Sequence, residues 1–230
     1  ELMPALSIIL FFVYTWGFGN IAGLLARESE DFLERNLMRV GIGLGIMLSF
    51  GLLLNLLRIP LDWRIFLSVS ILLISVKAYA DFKKREAVKV KSFSINAFSL
   101  LVIILFSVSL YMYGKGAFAY PYLEDDDSWS HAMGVKFVSI EKTVFAGAGD
   151  PFHYIEPYPP AYDLLFGLLH QTNDSIYWTL KFFNALIISL STIFFYFFAR
   201  EFTGNKNKAL FAAFALLSIP AFMSHFIWAL

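Results

Sequence analysis

The sequence predicts an all-α polytopic membrane protein, and three observations predict it. Hydrophobic residues make up 58% of the 230 positions and aromatics 18%, with a mean hydropathy of +0.65. Apolar runs of about 20 residues recur, the length a helix needs to cross a hydrocarbon core of about 30 Å at 1.5 Å per residue. Two charge clusters stand between apolar runs, a basic stretch at 81–92 and an acidic stretch at Glu124–Asp127. Formal charge is zero, so nothing points to nucleic acid as a partner. There is no cysteine, which excludes disulfides and thiolate metal sites.

Six spans are expected, at about 3–26, 37–57, 63–80, 93–113, 176–199 and 209–230, the third being the shortest. The first run is too long for the apolar core of a signal peptide, and no small-residue cleavage site follows it. The basic segment 81–92 is assigned to the cytoplasm by the positive-inside rule. Alternation then leaves six of the 18 basic residues outside (Arg58, Arg64, Lys115, Lys136, Lys142 and Lys181) and makes 114–175 extracytoplasmic. The expected organisation is a three-span module at 1–92 with its cytoplasmic basic loop, then a second part at 93–230, in a multi-pass protein of the cell membrane. The chain opens on Glu1 and ends inside an apolar run at Leu230, so it is expected to be a piece of a longer protein.

Within this plan, Gly41, Gly45 and Ser49 form a small-residue face for close helix packing in the second span. Gly41-x-Gly43-x-Gly45 is not a nucleotide loop, because it lies inside an apolar helix with no strand before it. The loop 114–175 is too long for a simple linker. From Trp129 to Val144, Met133, Phe137, Ile140 and Val144 recur at helical spacing, which predicts an amphipathic helix on the outer membrane surface. Gly147 to Pro151 breaks it, and Pro157, Pro159 and Pro160 make an extended entry to a second short surface helix over Ala161–His170. Asn173-Asp-Ser175 is a glycosylation sequon on the outer side. Lys181 either snorkels to the headgroups or contacts an anionic lipid-linked substrate. Pro220 is expected to kink the last span, with His225 near the outer surface.

The acidic stretch carries the functional expectation. Four ionised acids at the bilayer centre would cost roughly 10–14 kcal/mol, so they belong at the interface or against a wet cavity. Capping and dipole complementation of a following helix by Asp126, Asp127 and Ser128 is the plainer reading, but one acid would suffice for it. Adjacent aspartates repel, which a metal, a cationic group or a shared proton would relieve. Asp127 and His131 are spaced i, i+4 and share a helix face, a carboxylate–imidazole pair suited to metal ligation or acid–base work. Asp150 and His153 form a second polar pair, and Glu156 follows. Nine acids against three bases in this loop suit a divalent cation or a hydroxyl-rich substrate.

A membrane helix, then an outer loop opening D-D-D-S-W-S-H, an amphipathic helix, G-D-P, Y-P-P-A-Y-D-L-L and a further span together resemble the GT-C superfamily of membrane glycosyltransferases. The archaeal oligosaccharyltransferase catalytic subunits are most similar, and protein O-mannosyltransferases and lipid A aminoarabinose transferases share the plan. The resemblance covers about residues 93–230. It implies a lipid-linked sugar donor on a polyprenyl phosphate or diphosphate, and a protein, lipid or glycan acceptor. It also implies an essential outer-loop aspartate that binds a divalent cation such as Mg²⁺ or Mn²⁺ or acts as general base. Carried over, that aspartate is Asp126 or Asp127, with Asp125 as third choice. His131 matches the family histidine and Asp150 the later acid, so the implied metal set is Asp127, His131 and Asp150. Tyr158-Pro159-Pro160 matches the loop element before the next span. Glu124, Trp129, His153, Tyr158 and Lys181 are the candidate substrate-binding residues. Three spans precede the family's first helix here, and the family's later spans and soluble domain are not among these residues. Two other readings stand beside this one. A transporter or channel with a cation-binding outer vestibule would want ionisable groups in mid-span, where no acid is found. A non-catalytic membrane scaffold would have no use for the acids.

Overall fold

The computed structural model describes residues 2–25, 29, 31–83, 97–124, 126–145 and 159–219. Eight helices are described, α1 (Leu2–Leu25), α2 (Phe32–Leu56), α3 (Trp63–Lys83), α4 (Ala97–Ala117), α5 (Asp126–Glu141), α6 (Ala161–His170), α7 (Ile176–Thr203) and α8 (Lys206–Leu217), and no strand among the described residues. The chain is an all-α polytopic membrane protein. Five helices are long and apolar enough to span a bilayer: Pro4–Leu25 within α1, then α2, α3, α4 and α7. Large apolar side chains such as Ile9, Leu53, Ile71, Leu72 and Ile104 stay exposed along them, as suits a surface facing hydrocarbon. The third expected span is a full 21-residue helix. Half of the expected sixth span, 220–230 with Pro220 and His225, lies outside the described residues; α8 covers its start.

By contacts the chain forms two compact units, one of residues 1–92 with 130–179 and the other of 93–129 with 180–230. In the first unit α1 packs on α2 and α3 around a cluster of rings. Phe18, Phe50 and Phe66 stand 5.3–6.3 Å apart, and Tyr14 packs on Phe66. Asp31 caps α2, accepting from the Glu34 N–H at 3.0 Å, while Glu34 accepts from Ser29 at 2.6 Å. Helices α1 and α2 touch backbone to backbone: a Cβ on Gly43 would lie 1.6 Å from the Thr15 carbonyl oxygen, and one on Gly19 would lie 1.9 Å from that of Arg39. This corrects the expected packing face. The buried positions of α2 include Gly43, Met47 and Gly51, whereas Gly45 meets nothing within 4 Å and Ser49 is exposed. Glycines at 41, 43 and 45 offer two registers, and the residues opposite on α1 decide between them.

Helix α2 closes with a Schellman motif. The Arg58 N–H reaches the Asn55 carbonyl at 3.0 Å and the Ile59 N–H reaches that of Leu54 at 2.9 Å. The position glycine commonly fills is held by Arg58, with φ 59°, and Lys142 at the end of α5 has φ 55°. A left-handed backbone in a residue with a side chain costs about 1–3 kcal/mol. Ties around the two residues compensate. Leu61 N–H donates to the Lys142 carbonyl at 2.7 Å, the Lys142 ammonium pairs with Asp62, and Asn55 Oδ1 accepts from the Thr143 hydroxyl and the Val144 N–H. Burial alone would raise the Asp62 pKa; the Lys142 hydrogen bond, the Arg64 N–H and both their charges outweigh it and hold the carboxyl below its usual range.

The two helices expected on the membrane surface differ from that expectation. Helix α6 has the expected limits, but every residue from Asp163 to Leu169 is buried. Its leucines and Phe166 are covered by neighbouring helices, and its one acid is buried with a partner. Its end is pinned to α1 by Ser7 and Thr172 (3.2 Å) and to the α2–α3 turn by Gln171, which donates to the Leu61 carbonyl and accepts from the Trp63 N–H. Helix α5 begins at Asp126, with the acids in its first turn as expected, but only part of the expected stripe, Phe137 and Val144, is buried. Ala132, Val135, Phe137 and Val138 are buried, whereas Met133 and Ile140 are 44% and 61% exposed.

In the second unit α4, α7 and α8 meet around Tyr113, Ala185 and Ile188. At the start of α7, Asn173 is 4% exposed, its amide donating to Thr179 and its Oδ1 accepting from the Ser175 N–H. The sequon asparagine is thus a buried turn residue rather than an open glycan acceptor.

Candidate functional site

The acidic stretch opens α5. Asp126 and Asp127 occupy the first turn, where partial positive charge at the helix N-terminus favours them, and both are exposed, as is Glu124. Asp125 lies outside the described residues. The approach to the helix is fixed by Trp129, whose Nε1–H donates to the Leu123 carbonyl at 3.1 Å. Lys181 of α7 is 2% exposed, so it does not snorkel. Its ammonium donates to the Tyr120 carbonyl and lies 6.0 Å from the Phe118 ring centre, tying the 118–124 segment to α7. The carbonyl replaces hydration that a buried ammonium would otherwise lose.

One turn beyond Asp127 on the same helix is His131. Its Nδ1 lies 3.1 Å from Oδ1 of Asp163 on α6. The Asp163 side chain is 5% exposed and the imidazole 32%. Three features hold this buried carboxylate. It sits in the first turn of α6, where the helix dipole favours an acid. It accepts from His131. And α5 has a glycine opposite, for a Cβ on Gly134 would lie 2.5 Å from Oδ2 of Asp163. One turn on, the arrangement is reciprocal: a Cβ on Gly167 of α6 would lie 2.7 Å from the Val138 side chain of α5. The two glycines bring the helices together at the height of the pair. Tyr162 packs on the imidazole with ring centres 4.7 Å apart. Because the carboxylate accepts, Nδ1 carries the hydrogen, and a neutral ring has its lone pair on Nε2. Such an imidazole can take up a proton or coordinate a cation at Nε2 while Asp163 supports the charge.

Of the residues expected at the site, the structure describes Glu124, Asp126, Asp127, Trp129, His131 and Lys181, whereas Asp125, Asp150, His153 and Tyr158 lie outside the described residues. Among the described residues no three His, Asp or Glu side chains gather as a cation-holding group. Asp163 was not among the expected site residues. A signal for it was present: a single acid inside the apolar run Ala161–His170 must be either exposed or buried with a partner.

Residues 139–227 match the family model described as dolichyl-phosphate-mannose-protein mannosyltransferase. The matched model is that of a GT-C family, and the match covers less than half of the chain. The GT-C match takes in the end of α5, then α6, α7 and α8, and so includes Asp163 and Lys181, while Glu124, Asp126, Asp127 and His131 precede it. It supports a membrane glycosyltransferase that uses a polyprenyl-phosphate-linked sugar. No curated protein and no solved structure matches the chain.

Proposed function

We propose that the chain transfers a sugar from a polyprenyl-phosphate-linked donor to a protein, lipid or glycan acceptor at the extracytoplasmic membrane face. The observation that carries this reading is the His131–Asp163 pair, in which a buried carboxylate of the GT-C segment holds an imidazole one turn from the acidic start of α5. An acceptor oxygen attacks the anomeric carbon. The bond from that carbon to the phosphate oxygen breaks, and the lipid phosphate leaves with the bonding electrons. The acceptor proton passes to Asp126 or Asp127, both in water's reach. His131, oriented by Asp163, stands by for a proton at Nε2. The three-span segment 1–92 and the GT-C-like segment 93–230 remain the proposed division of labour along the chain.

The test is a transfer assay on the purified chain in detergent, with a radiolabelled polyprenyl phosphohexose and a mixed acceptor pool. Asp126→Asn and Asp127→Asn, singly and together, are expected to reduce transfer, the pair by about 10²–10⁴-fold, the range of a lost general base. Wild-type transfer by the double variant would remove both residues from the reaction.

A further inference from the structure

A second site lies in the first unit, away from the His131–Asp163 pair. Between the α2–α3 turn and the end of α5 there is a cleft of about 660 Å³. Glu141, the last residue of α5, is ten residues past His131, about 15 Å along the helix. The polar wall of the cleft is Asn55, Arg58, Glu141, Lys142 and Thr143, and its apolar wall includes Leu56, Ile59 and Phe145. Leu56, the last residue of the membrane-length helix α2, is 69% exposed, and Phe145, beyond the end of α5, is 51% exposed.

The charges in this wall are unequal in use. Lys142 is occupied by Asp62. Asn55 is 2% exposed and spends its Oδ1 on Thr143 and Val144, so what it can offer a ligand is amide N–H. Arg58 is exposed and makes no ion pair among the described residues. It also occupies the left-handed position of the helix cap that glycine commonly fills. The guanidinium is thus kept there against the preference of the backbone. Glu141 adds acceptor oxygens on the rim, which hydroxyls would satisfy, and its charge opposes a strongly anionic ligand.

We propose that this cleft binds the head of a phosphodiester lipid whose second ester group is a polyol, with the phosphate on Arg58, the polyol hydroxyls on Glu141 and the acyl or prenyl chain leaving past Leu56 and Phe145. One unpaired cation matches a singly charged phosphodiester better than a diphosphate. Planar N–H donors suit its two free oxygens. A glycerophospholipid and a polyprenyl phosphosugar share this chemistry. The site does not depend on the transfer reaction, since none of its residues is assigned to that chemistry.

The test uses the purified full chain in non-ionic detergent and three probes: dioleoylphosphatidylglycerol, a polyprenyl phosphomannose and inorganic phosphate. Binding is read by native mass spectrometry and by lipid-induced shifts in melting temperature. Wild-type protein is expected to retain a phosphodiester lipid. Arg58→Gly, which suits the left-handed backbone and keeps the cap, is expected to bind at least tenfold more weakly without a lower intrinsic melting temperature. Arg58→Lys is expected to recover part of the loss. Retention of the phosphomannose alone identifies a sugar donor as occupant, and retention of phosphatidylglycerol alone identifies a structural lipid; either supports the site. Unchanged binding by Arg58→Gly, retention of neither lipid, or displacement of bound lipid by millimolar inorganic phosphate would overturn it.

Discussion

The acids at the start of α5 and the single acid in α6 make opposite use of the same functional group. Asp126 and Asp127 are conspicuous in the sequence, exposed in the structure and inexpensive to hold, because water and a helix N-terminus satisfy them. Asp163 is one acid in an apolar run, yet it is 4% exposed and requires a helix dipole, an imidazole and a glycine opposite. Charge density in a sequence therefore marks where acids can be cheaply displayed, and burial marks where one is held in a fixed geometry. The first group is available for chemistry at the surface. The second fixes the orientation of His131.

Substitutions can break this comparison. The largest effect is expected from Asp126→Asn with Asp127→Asn: a loss of about 10²–10⁴ in transfer, with folding stability lowered by no more than about 1 kcal/mol through the lost helix-dipole interaction. Asp163→Ala should do the reverse in kind, costing about 2–4 kcal/mol by removing one partner of a buried pair and leaving a void beside Gly134. Thermal unfolding in detergent reads both, and equal stability losses in the two variants would abolish the distinction. Gly134→Ala is expected to cost about 1–3 kcal/mol, since its Cβ meets Asp163. Gly45→Ala, facing open space, should instead gain up to about 1 kcal/mol of helix propensity. Arg58→Gly should gain about 1 kcal/mol by relieving the left-handed backbone.

The smallest effect concerns pH. Burial, with the nearby Lys136 charge adding to it and Asp174 opposing, lowers the pKa of His170 below the ordinary histidine value. Its Nδ1 is buried without a hydrogen-bond partner among the described residues. The unfolded chain therefore binds the proton more readily. Stability is fully present above the ordinary value near 6.5 and declines as pH falls through the folded value. Unfolding measured from pH 8 to pH 5 should show this limb, and His170→Leu should flatten it.

The α1–α4 and α7 spans were legible because bilayer thickness imposes a length and hydrocarbon imposes a composition, and both are written into consecutive residues. The limits of α6 were legible for a similar local reason, a proline start and an apolar run. Its burial was not, because an apolar helix beside a membrane satisfies the hydrophobic effect equally in lipid or in protein. The inward face of α5 was misread at Met133 and Ile140 for the same reason, since periodicity gives the stripes but not which stripe has a partner.

By itself the sequence determined an all-α membrane protein with an acidic motif between two spans and a GT-C resemblance, since these follow from run lengths, charge placement and local order. Only the tertiary structure decided that Gly43 rather than Gly45 packs on α1, that Lys181 is tied to the Tyr120 carbonyl, and that Asp163 rather than another acid holds His131. Each of these depends on which side chain lies opposite, and contact between residues 28 to 61 positions apart leaves no periodic trace in the chain.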